Sequence, residues 1–195
     1  MGEMRGVFLG IMAMAVVVTA SNILVQYPLG QWLTWGALTY PFAFLITDIC
    51  NRLMGPAPAR LVVFAGFTLA VALSIWLATP RIAFASGAAF LAAQLLDVAV
   101  FHRLRAGSWW RAPLISSTLA SLLDTAIFFS LAFASWAAFL GPGELWALET
   151  VPVLGVGPEA ALWVSLAIGD FLVKLAIALL ALLPFRLITR SVRPV

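Results

Sequence analysis

The chain has 195 residues, of which 64% are hydrophobic and only 10% are charged, and its mean hydropathy is +1.08. Ordinary soluble domains are about half apolar and about a quarter charged, so this composition leaves too little polar surface for a soluble fold. The formal net charge is +3, but the basic residues lie at the ends of apolar stretches instead of forming a patch with interleaved aromatics. We therefore expect an integral membrane protein in a lipid bilayer that binds no nucleic acid.

Six apolar stretches follow one another along the chain, each near the length of about 20 residues that a helix needs to cross the hydrocarbon. They cover residues of about 7–27, 32–52, 61–79, 82–101, 113–140 and 160–185. The first stays apolar through Ile23, Leu24 and Val25, which favours a spanning helix over a cleaved signal peptide. The sequence thus predicts an all-α integral membrane protein, a six-transmembrane-helix bundle in a single domain over residues 1–195.

The distribution of charged residues between the short loops predicts the orientation of this bundle. With six spans, only Arg81 lies on the same side as the loop glutamates Glu144, Glu149 and Glu159. The other arginines all lie on the opposite side: Arg5, Arg52, Arg60, Arg103, Arg105, Arg111, Arg186, Arg190 and Arg193. Because cytoplasmic loops carry the excess of Lys and Arg, both termini are predicted to be cytoplasmic.

Five ionisable residues lie within or at the edge of the apolar stretches: Asp48, Asp97, Asp124, Asp170 and Lys174. Each costs roughly 2.5–3.5 kcal/mol at the centre of a membrane helix, so these residues should face the interior of the bundle. Asp170 and Lys174 are four positions apart and can pair on one helix face. Asp48 and Arg52 repeat that spacing and predict a second pair. Such pairs either have a functional role or only neutralise each other and join helices.

A polar stripe marks the fifth predicted helix. Ser117, Ser121 and Asp124 fall on one face, and Asp124 has no base three or four positions away. It therefore needs a ligand, water or another helix as its partner, whereas the hydroxyls can bond their own helix. Asn22 and Gln26 on the first helix are also four apart, and this amide pair could contact a planar heterocycle or join two helices.

The sequence argues against an enzyme. It contains one histidine, His102, and one cysteine, Cys50, so no disulfide, thiolate metal cluster, histidine-based metal site or Ser-His dyad away from that loop can be assembled. No glycine-rich phosphate loop is present, so direct ATP use has no support. We expect neither a metal nor a cofactor.

Several strings of residues, spread in order over nearly the whole chain, resemble the vitamin uptake transporter family of queuosine precursor transporters. They are SNILVQ from Ser21, TWGA from Thr34, PFAFLITD from Pro41, QLLDVAVF from Gln94, DT from Asp124, and Asp170 followed by Lys174. The resemblance implies import of 7-cyano-7-deazaguanine and 7-aminomethyl-7-deazaguanine across the bacterial inner membrane. It also implies a fold similar to the substrate-binding components of energy-coupling-factor vitamin transporters, acting without a dedicated ATPase. A homodimer stays open as the oligomeric state.

A deazaguanine has an edge of N–H donors that a carboxylate can accept, a carbonyl that needs a donor, and a flat face. Asp124 or Asp170 could accept that edge, while Lys174, Asn22 or Gln26 could donate to the carbonyl. The full set of predicted substrate-binding residues is Asn22, Gln26, Asp48, Arg52, Gln94, Asp97, Ser117, Ser121, Asp124, Asp170 and Lys174.

Two other functions stay open at this point. One is a vitamin-binding subunit that depends on a separate ATPase, and the other is a structural membrane protein whose polar residues only join helices. The sequence also leaves the energy coupling open between proton symport and facilitated diffusion with metabolic trapping.

Overall fold

The computed structural model describes residues 2–25, 27–29 and 33–190, and within these ranges it contains seven α-helices. Five of them are long and apolar enough to cross a membrane, which makes the chain an all-α, multi-pass membrane protein. The helices are α1 (Gly2–Leu24), α2 (Trp35–Thr39), α3 (Phe42–Met54), α4 (Pro56–Leu77), α5 (Pro80–Leu104), α6 (Arg111–Phe133) and α7 (Leu162–Thr189).

The second apolar stretch differs from its prediction, because it is divided into the short helices α2 and α3. The break lies at Tyr40 and Pro41, where proline lacks an N–H and its ring clashes with the preceding turn of a helix. Thr34 caps α2 by accepting from the N–H of Ala37 at 3.4 Å. One continuous helix over residues 32–52 is therefore wrong, and α3 alone, with 13 residues, is roughly 20 Å long.

Prolines also set the starts of two long helices. Pro56 and Pro80 occupy the first turns of α4 and α5, a position where the missing N–H has no cost. Thr79 caps α5 by accepting from the N–H of Ile82. These helices consequently begin five and two residues before the predicted starts at 61 and 82.

The fifth predicted helix ends earlier than expected. Helix α6 stops at Phe133, and residues 135–140, predicted to continue it, form a 3-10 turn instead. The buried side chain of Arg81 explains this end, because Nε donates to the carbonyl of Leu131 at 2.9 Å and Nη2 to that of Ala134 at 2.6 Å. Carbonyls at a helix C-terminus lack partners within the helix, and the guanidinium supplies them.

Two small hairpins and three 3-10 turns fill the connections. The first hairpin precedes α2 and pairs β1 (Pro28–Leu29) with β2 (Leu33–Thr34). The second precedes α7 and pairs β3 (Thr150–Pro152) with β4 (Glu159–Ala161). The 3-10 turns are Ser135–Leu140, Leu145–Leu148 and Val153–Gly155. The sixth predicted helix therefore begins at Leu162, after β4, and extends beyond 185 to Thr189.

Helix α3 is the centre of the bundle. The long helices form a succession of neighbours, α1 against α4, α4 against α5, α5 against α6 and α6 against α7, and α3 packs against all five. Small residues allow these close approaches; a Cβ at Gly66 of α4 would lie 2.5 Å from the side chain of Met14 of α1. The polar residues of α3 are thereby surrounded by other helices and shielded from lipid.

Candidate functional site

Lys174 of α7 lies at the centre of a buried ionic cluster between α6 and α7. Its Nζ donates to Asp124 at 2.6 Å, to Asp170 at 2.5 Å and to the hydroxyl of Thr125 at 3.2 Å. The Thr125 hydroxyl in turn donates to Asp170 at 2.7 Å. Tyr40, at the break between α2 and α3, donates to the other oxygen of Asp124 at 2.9 Å.

The cluster provides the partner that Asp124 needs. Asp124 and Lys174 are each 4% exposed, and isolated charges at that depth would be strongly unfavourable. The Tyr40 ring lies under the ammonium, with Nζ 5.3 Å from its centroid, a cation–π geometry. The predicted Asp170–Lys174 pair is confirmed, and the helix that satisfies Asp124 is α7. One ammonium against two carboxylates leaves the cluster with an excess of acceptors.

A second buried polar cluster lies between α3, α5 and α6. Asp48 accepts from the hydroxyl of Ser116 at 3.2 Å and from that of Ser117 at 3.1 Å. The carboxyl group of Asp97 on α5 lies beside that of Asp48 and the Ser116 hydroxyl. No donor among the described residues bonds either oxygen of Asp97, which is 0% exposed.

Amide side chains attach α3 to α5 around this second cluster. Thr47 donates to Gln94 Oε1 at 2.6 Å, and Asn51 donates to the carbonyl of Val98 at 2.9 Å. Within the described part of the chain the Gln94 amide nitrogen has no hydrogen-bond partner. Gln94 therefore positions α3 against α5, one helical turn before Asp97.

A cleft between α3, α6 and α7 connects the two clusters. Its enclosed volume is about 10 Å³, the space of about one water molecule, so a ring can enter only when the lining helices move apart. Its polar lining residues are Asp48, Ser117, Ser121 and Lys174. Its apolar lining residues are Pro41, Phe44, Leu45, Pro113, Ala178, Ala181, Leu182 and Phe185. A mostly apolar and aromatic wall with a few converging polar groups is typical of a binding site for a small ring.

Helical spacing explains why these residues meet. On α6, Pro113, Ser117 and Ser121 follow each other at intervals of four, so they lie on one face. The cleft follows α7 from Lys174 to Phe185, a distance of roughly 16 Å at 1.5 Å per residue. The hydroxyl of Ser121 is 1% exposed and has no partner among the residues described. It is thus available to a molecule in the cleft.

The predicted Asp48–Arg52 pair is wrong. The guanidinium of Arg52 donates instead to the backbone carbonyl of Arg105 at 2.7 Å, beyond the last turn of α5. Asp48 points into the bundle, whereas Arg52 lies at the end of α3, where the free carbonyls at the end of α5 attract a cation. Arg52 is not among the cleft-lining residues.

Asn22, the described member of the predicted amide pair on α1, lies outside the cleft. Asn22 donates to the carbonyl of Val18 at 2.9 Å and accepts from Ser74 of α4 at 3.4 Å. Asn22 thereby joins α1 to α4 and does not line the cleft. Gln26 lies outside the described residues.

Sequence reasoning missed Tyr40. Its hydroxyl reaches Asp124, 84 positions away, and its ring meets Phe44 and Phe90 edge to face at 6.0 and 6.2 Å between centroids. The sequence signal that could have found it is a tyrosine directly before Pro41 within an apolar stretch. Proline breaks a helix there, and polar groups at a break inside the membrane need hydrogen-bond partners.

Comparison with known proteins assigns the chain to a family. A family model described as "Putative vitamin uptake transporter" matches residues 34–79 and 72–189. The chain is 34% identical to the "Queuosine precursor transporter" of Escherichia coli (strain K12), over 86% of this chain and 79% of that protein. It is 33% identical to the "Probable queuosine precursor transporter" of Haemophilus influenzae, with the same two shares. No solved structure gives a significant match. The chain therefore belongs to the vitamin uptake transporter family.

Proposed function

We propose that this protein imports the queuosine precursors 7-cyano-7-deazaguanine and 7-aminomethyl-7-deazaguanine across a bacterial inner membrane. The names of the two relatives support the substrate class. The observation that carries the proposal is the cleft between α3, α6 and α7, where the carboxylate of Asp48, the ammonium of Lys174 and two serine hydroxyls line a largely apolar space. A flat, neutral or cationic heterocycle with donors on one edge is the ligand that such a lining suits.

The recognition chemistry differs from the arrangement that the sequence suggested. Both oxygens of Asp124 already accept hydrogen bonds, from Tyr40 and from Lys174, and Asp124 does not line the cleft. Asp48 does, and a carboxylate has about four acceptor positions, of which Ser116 and Ser117 use two. In our proposal Asp48 accepts the guanine-like edge of the substrate.

The remaining groups of the ring find partners further along the cleft. Lys174 and the free hydroxyl of Ser121 serve as donors for the carbonyl, because both line the cleft and Ser121 has no other partner among the described residues. Phe44 and Phe185, 2% and 1% exposed, offer aromatic faces and edges to the flat ring. The excess negative charge of the Lys174 cluster favours the aminomethyl cation.

The proposed topology has six crossings with both termini in the cytoplasm, in which α2 and α3 together provide the second crossing. Their combined range of 35–54 is 20 residues long, enough to span about 30 Å of hydrocarbon. A helix broken at mid-membrane is tolerated where its backbone is buried in protein or lines a cavity, and Pro41 lines the cleft. The end of the cleft at Pro113 and Phe185 then faces the cytoplasm.

We further propose that the protein needs no separate ATPase and works as a monomer or as a homodimer. A purely structural role fits the described residues less well. In a bundle whose polar residues only join helices, buried polar groups should be satisfied, yet the hydroxyl of the cleft-lining residue Ser121 has no partner in the described ranges. A free hydroxyl at a cleft favours a ligand.

The experiment that tests the proposed function is uptake of the two radiolabelled deazaguanines into liposomes that contain only this protein. We expect uptake that unlabelled deazaguanine competes away, and no uptake in liposomes with Asp48→Asn. Glu149→Gln is the matched control, because it removes one carboxylate from an exposed loop position. Lack of wild-type uptake in vesicles that hold folded protein would instead favour an ATPase-dependent subunit or another substrate.

A further inference from the structure

Asp48 of α3 and Asp97 of α5 form a pair of adjacent carboxyl groups in the interior of the bundle. They are 2% and 0% exposed. They lie between two hydrogen bonds that join the same helices, Thr47 to Gln94 at 2.6 Å and Asn51 to the carbonyl of Val98 at 2.9 Å, so the two carboxyl groups are neighbours. Ser116 and Ser117 both donate to Asp48. Neither oxygen of Asp97 accepts from any residue that the structure describes.

The cationic groups of the neighbouring helices are engaged elsewhere. On α3, Arg52 donates to the Arg105 carbonyl. On α7, Lys174 pairs with Asp124 and Asp170. The basic residues of α1, α4 and the last turns of α5 are exposed: Arg5, Arg60, His102 and Arg103. Arg105, directly after α5, is 8% exposed, and its Nη1 lies 3.4 Å from His102 Nδ1. From α6, the hydroxyls of Ser116 and Ser117 reach the pair, whereas Arg111 is exposed. No described cation forms an ion pair with either carboxyl group.

Two adjacent carboxylates without a cation repel each other strongly in a medium of low dielectric constant, so the doubly ionised pair readily takes up a proton. One proton between them removes the like-charge repulsion and lets one oxygen of Asp97 donate a hydrogen bond to Asp48. Asp48 already accepts two hydroxyl donors, so the negative charge is better stabilised there, and the proton belongs on Asp97. Such a pair shares one proton in the manner of a carboxyl dyad.

We propose that Asp97 and Asp48 together bind one proton, which is attached to Asp97 and forms a hydrogen bond to Asp48. In this proposal the proton is transported together with the substrate. The second part rests on the import function proposed above. Asp48 lines the cleft and Asp97 does not, so the substrate meets the carboxylate and the proton lies behind it.

The singly protonated pair is the state that binds substrate. When both carboxyl groups are protonated, Asp48 is neutral and accepts the N–H donors of the ring only weakly. When neither is protonated, the two carboxylates repel each other. In each cycle one proton passes from water outside to Asp97, and from Asp97 to water inside, and no other bond is formed or broken. The proton gradient then drives accumulation of the substrate.

The proton itself is tested without substrate, by infrared spectroscopy of the purified wild-type protein at neutral pH. We expect the C=O band of a protonated carboxyl group, shifted in D₂O, lost in Asp97→Asn and kept in Glu149→Gln. The amide of Asp97→Asn can still donate to Asp48, so this variant keeps the hydrogen bond while it removes the proton. A wild-type spectrum without the band, or a band that persists in Asp97→Asn, would overturn the shared proton.

Coupling is tested with 7-cyano-7-deazaguanine, whose side group carries no amine, in liposomes more acidic outside than inside. We expect accumulation of up to about tenfold per pH unit for one proton per substrate. Asp97→Asn should exchange labelled for unlabelled substrate across the membrane without accumulating it. Equal accumulation by Asp97→Asn and wild type would refute coupling through this pair. Absence of both uptake and exchange in wild type would refute the import function, while the infrared band still decides whether the pair holds a proton.

Discussion

The Nζ atom of Lys174 lies 2.6 Å from Asp124 although the two residues are 50 positions apart in the sequence. This contact joins α7 to α6 and forms one end of the cleft that Lys174 lines. The same side chain therefore holds two helices together and supplies the ammonium that a ligand in the cleft would meet. The consequences for stability and for binding can be separated by choice of substitution.

Replacing Lys174 with methionine leaves Asp124 and Asp170 buried without their cation. Breaking a buried ion pair in this way costs about 3–5 kcal/mol, so we expect a clear fall in melting temperature and loss of uptake. The single cysteine of the chain, Cys50, is 4% exposed, so a thiol-reactive dye reports unfolding directly. An unchanged melting temperature would contradict the ionic cluster.

Asp124→Asn is the control for that variant. It removes one carboxylate but leaves the Asp170–Lys174 pair intact, and the amide can still accept from Tyr40. We expect a smaller loss of stability than in Lys174→Met. If the two variants were equally unstable, Lys174 would not depend on Asp170 as its second partner.

Tyr40→Phe removes one hydroxyl and keeps the ring beside Phe44 and Phe90. A hydrogen bond to a charged group contributes about 1.5–3 kcal/mol, so the melting temperature should fall by a measurable but smaller amount than in Lys174→Met. Uptake should fall as well, because Asp124 loses a partner that fixes its orientation. Tyr27→Phe is the matched control, since Tyr27 is 57% exposed; equal effects of both changes would argue against the Tyr40–Asp124 bond.

The sequence could predict contacts within a single helix but not contacts between helices. Spacing of four along one helix paired Asp170 with Lys174 correctly, because the two residues share a face whatever the fold. The same rule failed for Asp48 and Arg52, since α5 offered Arg52 a carbonyl and α6 offered Asp48 two hydroxyls, and only the packing of the helices brings those groups together. Hydropathy found the apolar stretches but not their ends.

Arg81→Met removes the donors that end α6. The guanidinium also reaches the carbonyl of Gly141 at 3.4 Å, so residues 134–141 should become more accessible while the long helices stay folded. We expect faster hydrogen exchange and proteolysis in this segment only. Arg81→Lys should restore little of this protection. A single ammonium lacks the planar array of donors with which arginine bonds the carbonyls of Leu131, Ala134 and Gly141. Protection equal to wild type in Arg81→Met would contradict this anchor.

Ser121→Ala separates binding from stability. The Ser121 hydroxyl has no partner in the described part of the chain, and removing an unsatisfied buried group is neutral or stabilising. We therefore expect an unchanged or raised melting temperature together with weaker deazaguanine binding, measured by calorimetry on purified protein. Ser117→Ala removes a hydroxyl that donates to Asp48, so this variant should lose stability in addition to binding. Wild-type affinity in Ser121→Ala would remove this residue from the site.

The central claim, that substrate occupies the cleft between α3, α6 and α7, is tested most directly by protection of a thiol placed in it. Ala178→Cys puts a thiol on the cleft wall one turn from Lys174, and Leu180→Cys puts one on the exposed side of the same helix, where Leu180 is 73% exposed. The account predicts that 7-aminomethyl-7-deazaguanine slows maleimide labelling of Ala178→Cys and leaves Leu180→Cys unaffected. Labelling of Ala178→Cys at the same rate with and without saturating substrate would contradict it.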